Sequence, residues 1–422
     1  MLYDQPDTAL QWLFLDLNSY FASVEQQETP AYRGKPVAVV PMMTDSTCAI
    51  AASYEAKLYG IRTGTKIYDA KKMCPGLICA PARHDLYVSY HNRIFAEVER
   101  HLPVTRICSI DEAACELWGE QRRPENAHAL ALQIKEGIRQ KIGPFVRCSI
   151  GIAPNAFLAK VATEMEKPDG LVILEPETLK DRLFALSLRD LPGINIRMEQ
   201  RLQRAGISTI EQLWNISPKH ARKIWHSVEG ERFWYKLHGY NIPERPTQKR
   251  MIGHSRILDP VLRRQAEARA ITRQLLIKAV TRLRRYDLHA GKLYLGVRTV
   301  SRRKWGNYTD FPASQDTTCF LEALERLWQM MERATGTENL LKVSVSLFDL
   351  CEAAGITPDL FEMSSSSSDT PHRPMALLES VQMINRRYGA NTITLGISPK
   401  TSTGYVGTKI AFTRIPDQEE FS

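Results

Sequence analysis

The sequence has no apolar run long enough to cross a membrane, and its opening residues do not have the pattern of a signal peptide. No stretch of about eighteen or more apolar residues occurs, although a membrane helix needs about twenty. Residues 1–10 lack a basic segment followed by an apolar one. We therefore expect a cytoplasmic protein that does not act at a membrane.

Paired cysteines are also missing. None of the eight cysteines belongs to a Cys-x-x-Cys pair. Cys74 and Cys79 are five residues apart, and no second pair of cysteines elsewhere in the chain complements them as metal ligands. A structural zinc site needs such pairs, so we do not expect one. Most of the cysteines lie in apolar segments, which favours buried, reduced thiols. They are Cys48, Cys74, Cys79, Cys108, Cys115, Cys148, Cys319 and Cys351.

Acidic residues are scarce in one part of the chain. Residues 251–310 contain fourteen Lys or Arg against four Asp or Glu, whereas the net charge of the whole chain is only +9. The basicity therefore belongs to this region. A single run of charge is usually the solvated face of a helix. Here the arginines continue from a predicted helix into the following strand, which favours a surface that binds a polyanion.

The 422 residues are enough for two to four domains, and the pattern of elements changes along the chain. Strands and helices interleave over 11–174, which predicts an α/β layer. Residues 175–240 are helical, and 191–197 predict a helix-hairpin-helix turn whose backbone N–H groups can hold a phosphate. A polar linker at 241–249 leads into an α+β domain at 250–350.

The tail contains a serine-rich linker at 364–368 and a short module with a predicted helix at 375–388 and strand at 392–395.

Several predictions concern single strands. The apolar run 12–17 predicts a buried strand with one acid near its end. A strand over 106–110 is expected to lead through a tight bend into a second strand over 113–117. Alternation predicts a strand over 341–347 with one polar, basic face. Its inward-facing residues are expected to be Leu341, Val343, Val345 and Leu347.

Three acids lie at the ends or turns of these strands: Asp16, Asp111 and Glu112. Adjacent side chains on a regular strand face opposite ways, so we place Asp111 and Glu112 at the bend, where they can converge. An Asp-Glu pair at a bend is usually solvated. Here it lies between apolar strands, where an unpaired charge is costly. Oxygen ligands suit Mg²⁺, so the residues alone indicate metal-dependent phosphoryl transfer.

Several motifs occur in the order in which one protein family has them. They are LDLNSYFASVE at 15–25, SYEAK at 53–57, CSIDEA at 108–113, SIGI at 149–152, FLAK at 157–160, KPDG at 167–170 and LPG at 191–193. Over about residues 11 to 350 the chain resembles the Y-family, or DinB/UmuC-type, translesion DNA polymerases. So many motifs in one order make coincidence negligible.

The resemblance implies a right-hand polymerase built from α/β and α+β domains. The palm would comprise 11–19 and 86–174, and the small fingers 20–85. A helix-hairpin-helix thumb would span 175–240. A little-finger domain over 250–350 and a tail over 351–422 would follow.

The implied activity is template-directed, error-prone synthesis past damaged bases, by nucleotidyl transfer from dNTPs to a primer 3′-hydroxyl. Asp16, Asp111 and Glu112 match the catalytic metal ligands, and the Leu17 carbonyl matches a further oxygen ligand of two Mg²⁺ ions. No separate exonuclease-like cluster of acids is visible, so proofreading is not expected.

The nucleotide site follows from the same resemblance. Phe21 matches a steric gate that rejects ribonucleotides, although it is also interpretable as helix core. Tyr54, Lys57 and Lys167 match residues that hold the triphosphate. Lys160 is either a nearby charge or an exposed helix lysine.

DNA contacts are implied in two regions. Gly193 lies in the hairpin turn of the thumb. The expected phosphate contacts of the little finger are Arg298, Arg302, Arg303 and Lys304. These contacts would be independent of base sequence and sensitive to salt.

One motif and the family imply further partners. TPDLF at 357–361 resembles the bacterial sliding-clamp-binding pentapeptide, with Thr357 in place of the usual Gln. Leu360 and Phe361 would anchor it on the clamp, or would pack on their own domain. Activating accessory proteins are possible partners, and the cellular location would be the bacterial cytoplasm, at the nucleoid.

The departures from the family pattern include Lys57 and Asn195, and two alternative functions remain. Lys57 stands where the family often has Arg, which gives up bidentate contact with phosphate. Asn195 stands where the hairpin usually has a second glycine. A catalytically inactive, polymerase-like DNA-binding protein of the damage response is the first alternative, although such relatives lack the acids. A nucleotidyl cyclase is the second, although it has no duplex for a basic domain to hold.

Overall fold

The computed structural model describes residues 9–243 and 248–353, with the isolated positions 380, 383, 384, 387, 388, 392, 393 and 415. The described residues up to 243 belong to one compact unit, and residues 248–353 belong to a second. The division falls within the predicted linker at 241–249. The clamp-like motif and the predicted elements of the terminal module lie outside the continuously described ranges.

Unit one contains two sheets. A five-stranded sheet has the strand order β5-β6-β1-β7-β8, and a three-stranded sheet has the order β3-β2-β4. Their strands are β1 (Trp12–Leu17), β2 (Val37–Val40), β3 (Ala51–Ala52), β4 (Ile78–Pro81), β5 (Arg106–Ile107), β6 (Glu112–Glu116), β7 (Cys148–Ala153) and β8 (Leu171–Ile173).

Helices interleave with these strands and then succeed one another from residue 179. They are α1 (Tyr20–Glu28), α2 (Tyr54–Leu58), α3 (Ile67–Met73), α4 (His84–Glu99), α5 (Pro124–Lys141), α6 (Ala156–Met165), α7 (Leu179–Phe184), α8 (Ile196–Arg204), α9 (Ile210–Trp214), α10 (Pro218–Trp225) and α11 (Val228–Leu237). The prediction of an α/β layer followed by a helical region is confirmed. In the described part of the chain, no helix combines the length and the apolar character needed to cross a membrane.

Strand β1 forms the centre of the larger sheet because both of its faces are apolar. Leu13, Leu15 and Leu17 belong to one buried core cluster. Phe14 belongs to a second cluster, which includes apolar residues of α6. Since side chains alternate along a strand, Asp16 lies on the same face as Phe14. A buried carboxylate is thereby placed on the side of the sheet that α6 covers.

The strand predicted over 106–110 is too long. Strand β5 is Arg106–Ile107 only. The chain then turns, because the amide groups of Cys108 and Ser109 both donate to the carbonyl of Glu112, at 2.9 and 3.2 Å. The bend therefore begins at Cys108, and Glu112 is already the first residue of β6.

The predicted hairpin at 191–197 contains a turn that requires glycine. Gly193 has φ +92°, a conformation that other L-residues rarely adopt. Asn195 caps α8, since its side chain accepts hydrogen bonds from the amides of Arg197 and Met198, both at 3.0 Å. The departure from glycine at 195 therefore gives the helix an N-cap.

Unit two is a four-stranded sheet with helices on one face. The strand order is β11-β10-β12-β9. Leu293, Leu295 and Val297 face a buried cluster that also contains residues of both helices. The elements are β9 (Ile252–Ile257), α12 (Gln265–Arg285), β10 (Leu288–Thr299), β11 (Lys304–Ser314), α13 (Thr317–Thr335) and β12 (Leu340–Glu352).

One inward-facing residue of this sheet was predicted wrongly. Leu340 is fully buried, whereas Leu341 is only partly buried. The register shifts at this point, since Arg298 pairs with Lys342 but Thr299 pairs with Leu340. This irregularity removes Leu341 from the inward series, and Val343, Val345 and Leu347 remain in it.

Candidate active site

The three predicted acids lie together because β1 and β6 are neighbours. Asp16 and Glu112 are directly paired across the antiparallel strands. The amide of Leu17 donates to the carbonyl of Asp111 at 2.8 Å, which fixes the residue before β6 against the end of β1. Asp111 and Glu112, which follow Asp16 by 95 and 96 positions in the sequence, thus bring their carboxylates to the same edge of the sheet as Asp16.

Burial changes the acidity of these carboxyl groups. It raises the pKa of Asp111, and the negative charge of Asp16 adds to this effect. Burial likewise raises the pKa of Glu112, although Lys160 opposes it. Burial also acts to raise the pKa of Asp16, but the ammonium groups of Lys160 and Lys167 outweigh it and hold this pKa below its usual value. The site therefore concentrates negative charge that needs a cation.

Lys160 supplies a positive charge at the centre of the group. Its ammonium group contacts the carboxylates of Asp16 and Glu112, the latter at 2.7 Å, and that of Glu164 at 3.0 Å. Burial acts to lower the pKa of Lys160, but the carboxylates outweigh it and raise this pKa. Of the two interpretations of Lys160, the nearby charge is therefore the one that the structure supports.

Close packing of α6 on β7 makes this contact possible. A Cβ atom at Gly151 would lie 2.1 Å from the carbonyl oxygen of Ala159, so any other residue there would push the helix away. Gly151 lies in the SIGI segment, and Lys160 follows Ala159 directly. The sequence alone did not assign Lys160 to the site. The feature that could have indicated it is Gly151, because a glycine in a buried strand allows a helix to pack closely.

Lys167 lies beside the same carboxylates. Its ammonium group is 3.0 Å from Asp16 Oδ1 and 2.7 Å from Glu164 Oε1. The segment that carries it, 167–170, follows α6 and leads into β8. The predicted triphosphate ligand is therefore placed next to the predicted metal ligands.

Tyr54 and Lys57 form a pair at the start of α2. The Lys57 ammonium lies 4.3 Å from the centre of the Tyr54 ring. The Tyr54 hydroxyl is buried beside the Ser19 hydroxyl. Burial, and then the charge of Asp16, raise the pKa of Tyr54 to about 12, although the contact with Ser19 acts to lower it. Burial and the positive charge of Lys167 lower the pKa of Lys57, so these groups lie within electrostatic reach of one another.

Phe21 is neither wholly core nor wholly exposed. Its ring is stacked on Tyr87, with centroids 4.3 Å apart and an angle of 16° between the planes. The rest of the side chain remains partly accessible at the edge of the core. Behind it, the Tyr87 hydroxyl donates to Glu25 at 2.8 Å, and Glu25 pairs with Arg83. One face of the Phe21 ring is thus held by a buried network, while the side chain as a whole is only partly buried.

The donor set fits divalent cations by its chemistry. Three carboxylates supply the oxygen ligands that Mg²⁺ prefers. Burial, and the negative charges of the neighbouring carboxylates, raise the pKa of Asp111 and of Glu112. Within residues 9–243 and 248–353, no three acidic, histidine or cysteine side chains stand ready to hold one metal ion. In this arrangement the carboxylates of Asp16 and Glu112 contact the Lys160 ammonium, and that of Asp111 accepts a hydrogen bond from the Ser109 hydroxyl.

The predicted DNA-contact residues of unit two lie at one end of the sheet. Arg298 on β10 pairs with Lys304 on β11 and with Lys342 on β12. Residues directly opposite each other project from the same face of a sheet. We call Lys304, Arg298 and Lys342 the cation row. It lies on the face opposite to α12 and α13, since the alternate residues of β10 are those packed in the core.

The remaining two predicted cations differ from each other. Arg302 is exposed in the turn between β10 and β11. Arg303 is exposed but pairs with Glu338, with Nε 3.1 Å from Glu338 Oε2. Hydrogen bonds from Ser301 and then from Arg303 lower the pKa of Glu338 to about 2. Arg303 is therefore already partnered.

Comparison with known proteins identifies the family. Residues 15–164 match the model of the impB/mucB/samB family, and residues 249–360 match that of its C-terminal domain. The chain is 29% identical to DNA polymerase IV 1 of Bacillus subtilis (strain 168) over 402 residues, which cover 92% of each protein. It is 31% identical to DNA polymerase IV of Saccharolobus solfataricus over 250 residues, 58% of this chain and 70% of that one.

Solved structures show the same architecture. A Y-family polymerase chimera of Dbh and Dpo4 matches with a TM-score of 0.68 at 23% identity, over 81% of this chain and 99% of that one. DinB from Sulfolobus solfataricus matches with a TM-score of 0.52 at 24% identity, over 80% and 98%. The predicted right-hand fold with palm, fingers, thumb and little finger is confirmed. The resemblance seen in the motifs is confirmed as well, and the chain belongs to the Y family of DNA-directed DNA polymerases.

Proposed function

We propose that the chain is an error-prone translesion polymerase, which extends a primer opposite damaged bases by nucleotidyl transfer from dNTPs. The observation that carries the proposal is the convergence of Asp16, Asp111 and Glu112 at one edge of the palm sheet, within reach of Lys57, Lys160 and Lys167. Acids and cations in one place suit a reaction in which a triphosphate is held and a phosphoryl group is transferred.

Two Mg²⁺ ions would be held by Asp16, Asp111, Glu112 and the carbonyl of Leu17. Bound there, they would act as Lewis acids towards the charge that develops during phosphoryl transfer. The chain itself keeps the ligands available. Lys160 and Lys167 hold Asp16 in its ionised form, and the strand pairing of Asp16 with Glu112 fixes the distance between their backbones.

Tyr54, Lys57 and Lys167 are the proposed contacts of the triphosphate. The Tyr54 hydroxyl is a buried donor beside the Ser19 hydroxyl, and a phosphate oxygen would be a stronger acceptor for it. Lys57 and Lys167 repel each other enough to affect the pKa of Lys57, which an anion between them would relieve. Both features favour a polyanionic ligand.

Phe21 is the proposed barrier against ribonucleotides. A steric gate has to be rigid, because a ring that can turn away excludes nothing. Stacking on Tyr87, whose hydroxyl is fixed by Glu25, provides that rigidity. The accessible side of Phe21 would then lie against the 2′ position of the incoming sugar.

The cation row is the proposed contact of the little finger with the DNA backbone. Like charges directly opposite each other destabilise a sheet. A bound anion would relieve the repulsion within the cation row. A phosphodiester backbone supplies a series of phosphate anions that could do so. Arg302 beside the row and Gly193 in the thumb turn are further proposed contacts.

Further partners and the domain borders also belong to the proposal. Leu360 and Phe361, outside the continuously described ranges, would bind the sliding clamp, and accessory proteins would activate the enzyme at the nucleoid. The palm would comprise 11–19 and 86–174, with fingers at 20–85, the thumb at 175–240 and the little finger at 250–350. The tail would span 351–422.

Primer extension tests the proposal. Wild type and Asp111→Ala are incubated with the four dNTPs, Mg²⁺ and primer–templates with or without a defined lesion. We expect the wild type to extend the primer past the lesion and Asp111→Ala to bind the same DNA without adding nucleotides. A wild type that binds primer–template and adds no nucleotide would contradict the proposal and favour a polymerase-like accessory protein.

A further inference from the structure

The segment 167–170, which presents Lys167 to the carboxylates, is held from behind by a lysine of another element. Lys135 lies on α5, whose buried residues pack in the cluster of Leu13, Leu15 and Leu17 and therefore on the face of the sheet opposite to Asp16. Its ammonium group is 2.8 Å from the carbonyl oxygens of Cys148 and Asp169, 2.6 Å from Asp169 Oδ1 and 3.3 Å from the carbonyl of Gly170. An ammonium group has three N–H donors, so these acceptors use all of them.

The same segment is fixed from the front by two polar side chains. Asn18, next to the Asp16 strand, accepts a hydrogen bond from the amide of Asp169 at 2.7 Å. Ser149 accepts one from the amide of Gly170 at 3.3 Å and another from Asn18 Nδ2 at 3.0 Å. The amides of Asp169 and Gly170 thus depend on side chains that lie just after β1 and on β7.

The surroundings of Lys135 indicate that the contact is specific. Its side chain is only 16% exposed, so burying its charge is favourable only with these partners. Three of its four acceptors belong to the segment 167–170, and the fourth belongs to the first residue of β7. The ammonium group therefore ties the segment to the sheet and not merely to its own helix.

We propose that Lys135 is a positioning residue for nucleotide binding: its ammonium group clasps the segment 167–170, so that Lys167 faces the site. This inference rests on the proposed function, since Lys167 is the proposed triphosphate contact. Lys135 itself touches neither the carboxylates nor, in the proposal, the nucleotide. It acts through the backbone that carries Lys167.

The first experiment measures the clasp without using activity. Lys135→Met keeps the length of the side chain and removes the donors. Hydrogen exchange of the Asp169 and Gly170 amides is followed in the folded variant, and we expect it to become about tenfold faster or more. Exchange at the wild-type rate would overturn the proposal.

The second experiment measures the consequence for the reaction. In single-nucleotide incorporation, Lys135→Met should lower kcat/KM for dNTP about tenfold or more, mainly through a higher KM. If Lys135 acts through Lys167, adding Lys135→Met to Lys167→Ala should lower kcat/KM less than about twofold further. Losses that multiply in the double variant would show that Lys135 does not work through Lys167.

Matched variants separate the clasp from general effects. Arg139 lies on the same helix and pairs only with Glu136 among the described residues, so Arg139→Met should change neither the exchange nor the kinetics. Lys135→Arg keeps the charge, but a planar fork cannot aim its donors at acceptors that converge on one atom. We expect intermediate exchange and kinetics for this variant. A loss in Arg139→Met equal to that in Lys135→Met would contradict a specific clasp.

The clasp remains testable if Lys135→Met does not fold and if the wild type is inactive. If Lys135→Met does not fold, the exchange rates of Lys135→Arg decide, and wild-type rates there would overturn the clasp. If the wild type adds no nucleotide at all, the proposed function is wrong. The hydrogen exchange of the Asp169 and Gly170 amides then still decides whether Lys135 holds the segment.

Discussion

The acidic site of unit one and the basic face of unit two differ in whether their charged side chains are paired with opposite charges. At the acidic site the charges are partly buried, and the ammonium groups of Lys160 and Lys167 lie against carboxylates. On the basic face Arg298 and Lys304 are exposed neighbours of like sign, without an ion pair among the described residues. Charges that a chain satisfies itself can position a reaction, whereas charges that it leaves unsatisfied can hold a partner.

The two regions should therefore fail differently, and the largest difference is expected in catalysis. Glu112→Gln keeps the shape of the side chain and removes a charge of the acidic site. We expect kcat for primer extension to fall about a thousandfold or more with little change in DNA affinity. Arg298→Gln should do the reverse, with weaker DNA binding and an unchanged kcat. A Glu112→Gln variant with near-normal kcat would contradict the assignment of catalysis to the acidic site and of DNA binding to the basic face.

Stability should separate a buried cation from an exposed one. Removing the ammonium group of Lys160 leaves Glu112 without its partner and leaves Asp16 with Lys167 alone, so Lys160→Met should lower the free energy of unfolding in the absence of metal by about 2–4 kcal/mol. Arg303→Met in unit two should leave it almost unchanged, because Glu338 stays at the surface. Urea unfolding of the two variants measures this. Equal losses would contradict the assigned difference in burial.

Discrimination against ribonucleotides tests the edge of the acidic site. Phe21→Ala should reduce the preference for dNTP over rNTP about 100-fold, since the side chain that crowds the 2′ position is gone. Phe21→Tyr keeps the ring and should keep the preference. The ratio of kcat/KM for the two nucleotides is the measurement. An unchanged ratio in Phe21→Ala would show that Phe21 serves only as part of the core.

The salt dependence of DNA binding tests the cation row. Replacing Arg298 and Lys304 by Gln should lower the magnitude of the log–log salt slope by about one unit for each residue. Arg333→Gln is the control, because Arg333 is an exposed residue of α13, which packs on the other face of the sheet. The same slope in wild type and in the double variant would place the DNA elsewhere.

The smallest effect expected is a pH dependence of stability in unit one. Burial lowers the pKa of His238, between Trp214 and Trp234, to about 4. The unfolded chain binds a proton at a higher pH than the folded one, so stability should fall as the pH is lowered from about 6.5 to 4. His238→Phe should flatten this dependence of the unfolding free energy, whereas His220→Phe, on the neighbouring α10, should not. An unaltered dependence in His238→Phe would contradict this assignment.

Apolar periodicity predicted the strands whose faces are buried, and it failed where the backbone departs from regular pairing. β1 and the inward side of β10 follow from their patterns. The short β5 does not, because a double hydrogen bond to Glu112 ends it, and the displaced Leu341 does not, because it lies at a register shift. β11 was missed because most of its residues are at least partly exposed and carry no apolar alternation.

The acids of the site were predicted from motifs, whereas their cationic partner was not settled. Lysines on helices show no pattern that distinguishes a solvent-exposed ammonium group from one that contacts carboxylates. The contact of Lys160 depends on how closely α6 approaches Gly151, which is a property of tertiary packing. The clasp of Lys135 likewise joins residues from three elements. Neither relation is written in the spacing of residues along the chain.

The central claim is that Asp16, Asp111 and Glu112 act as one unit in nucleotide transfer. Asp16→Asn, Asp111→Asn and Glu112→Gln are measured singly and together, as the rate of a single incorporation on bound primer–template. When several groups act as one unit, removing any one of them abolishes the contribution of all. Each single variant should therefore lower the rate of incorporation nearly as much as the triple variant does. Losses that multiply, or one single variant that keeps the wild-type rate, would contradict the claim.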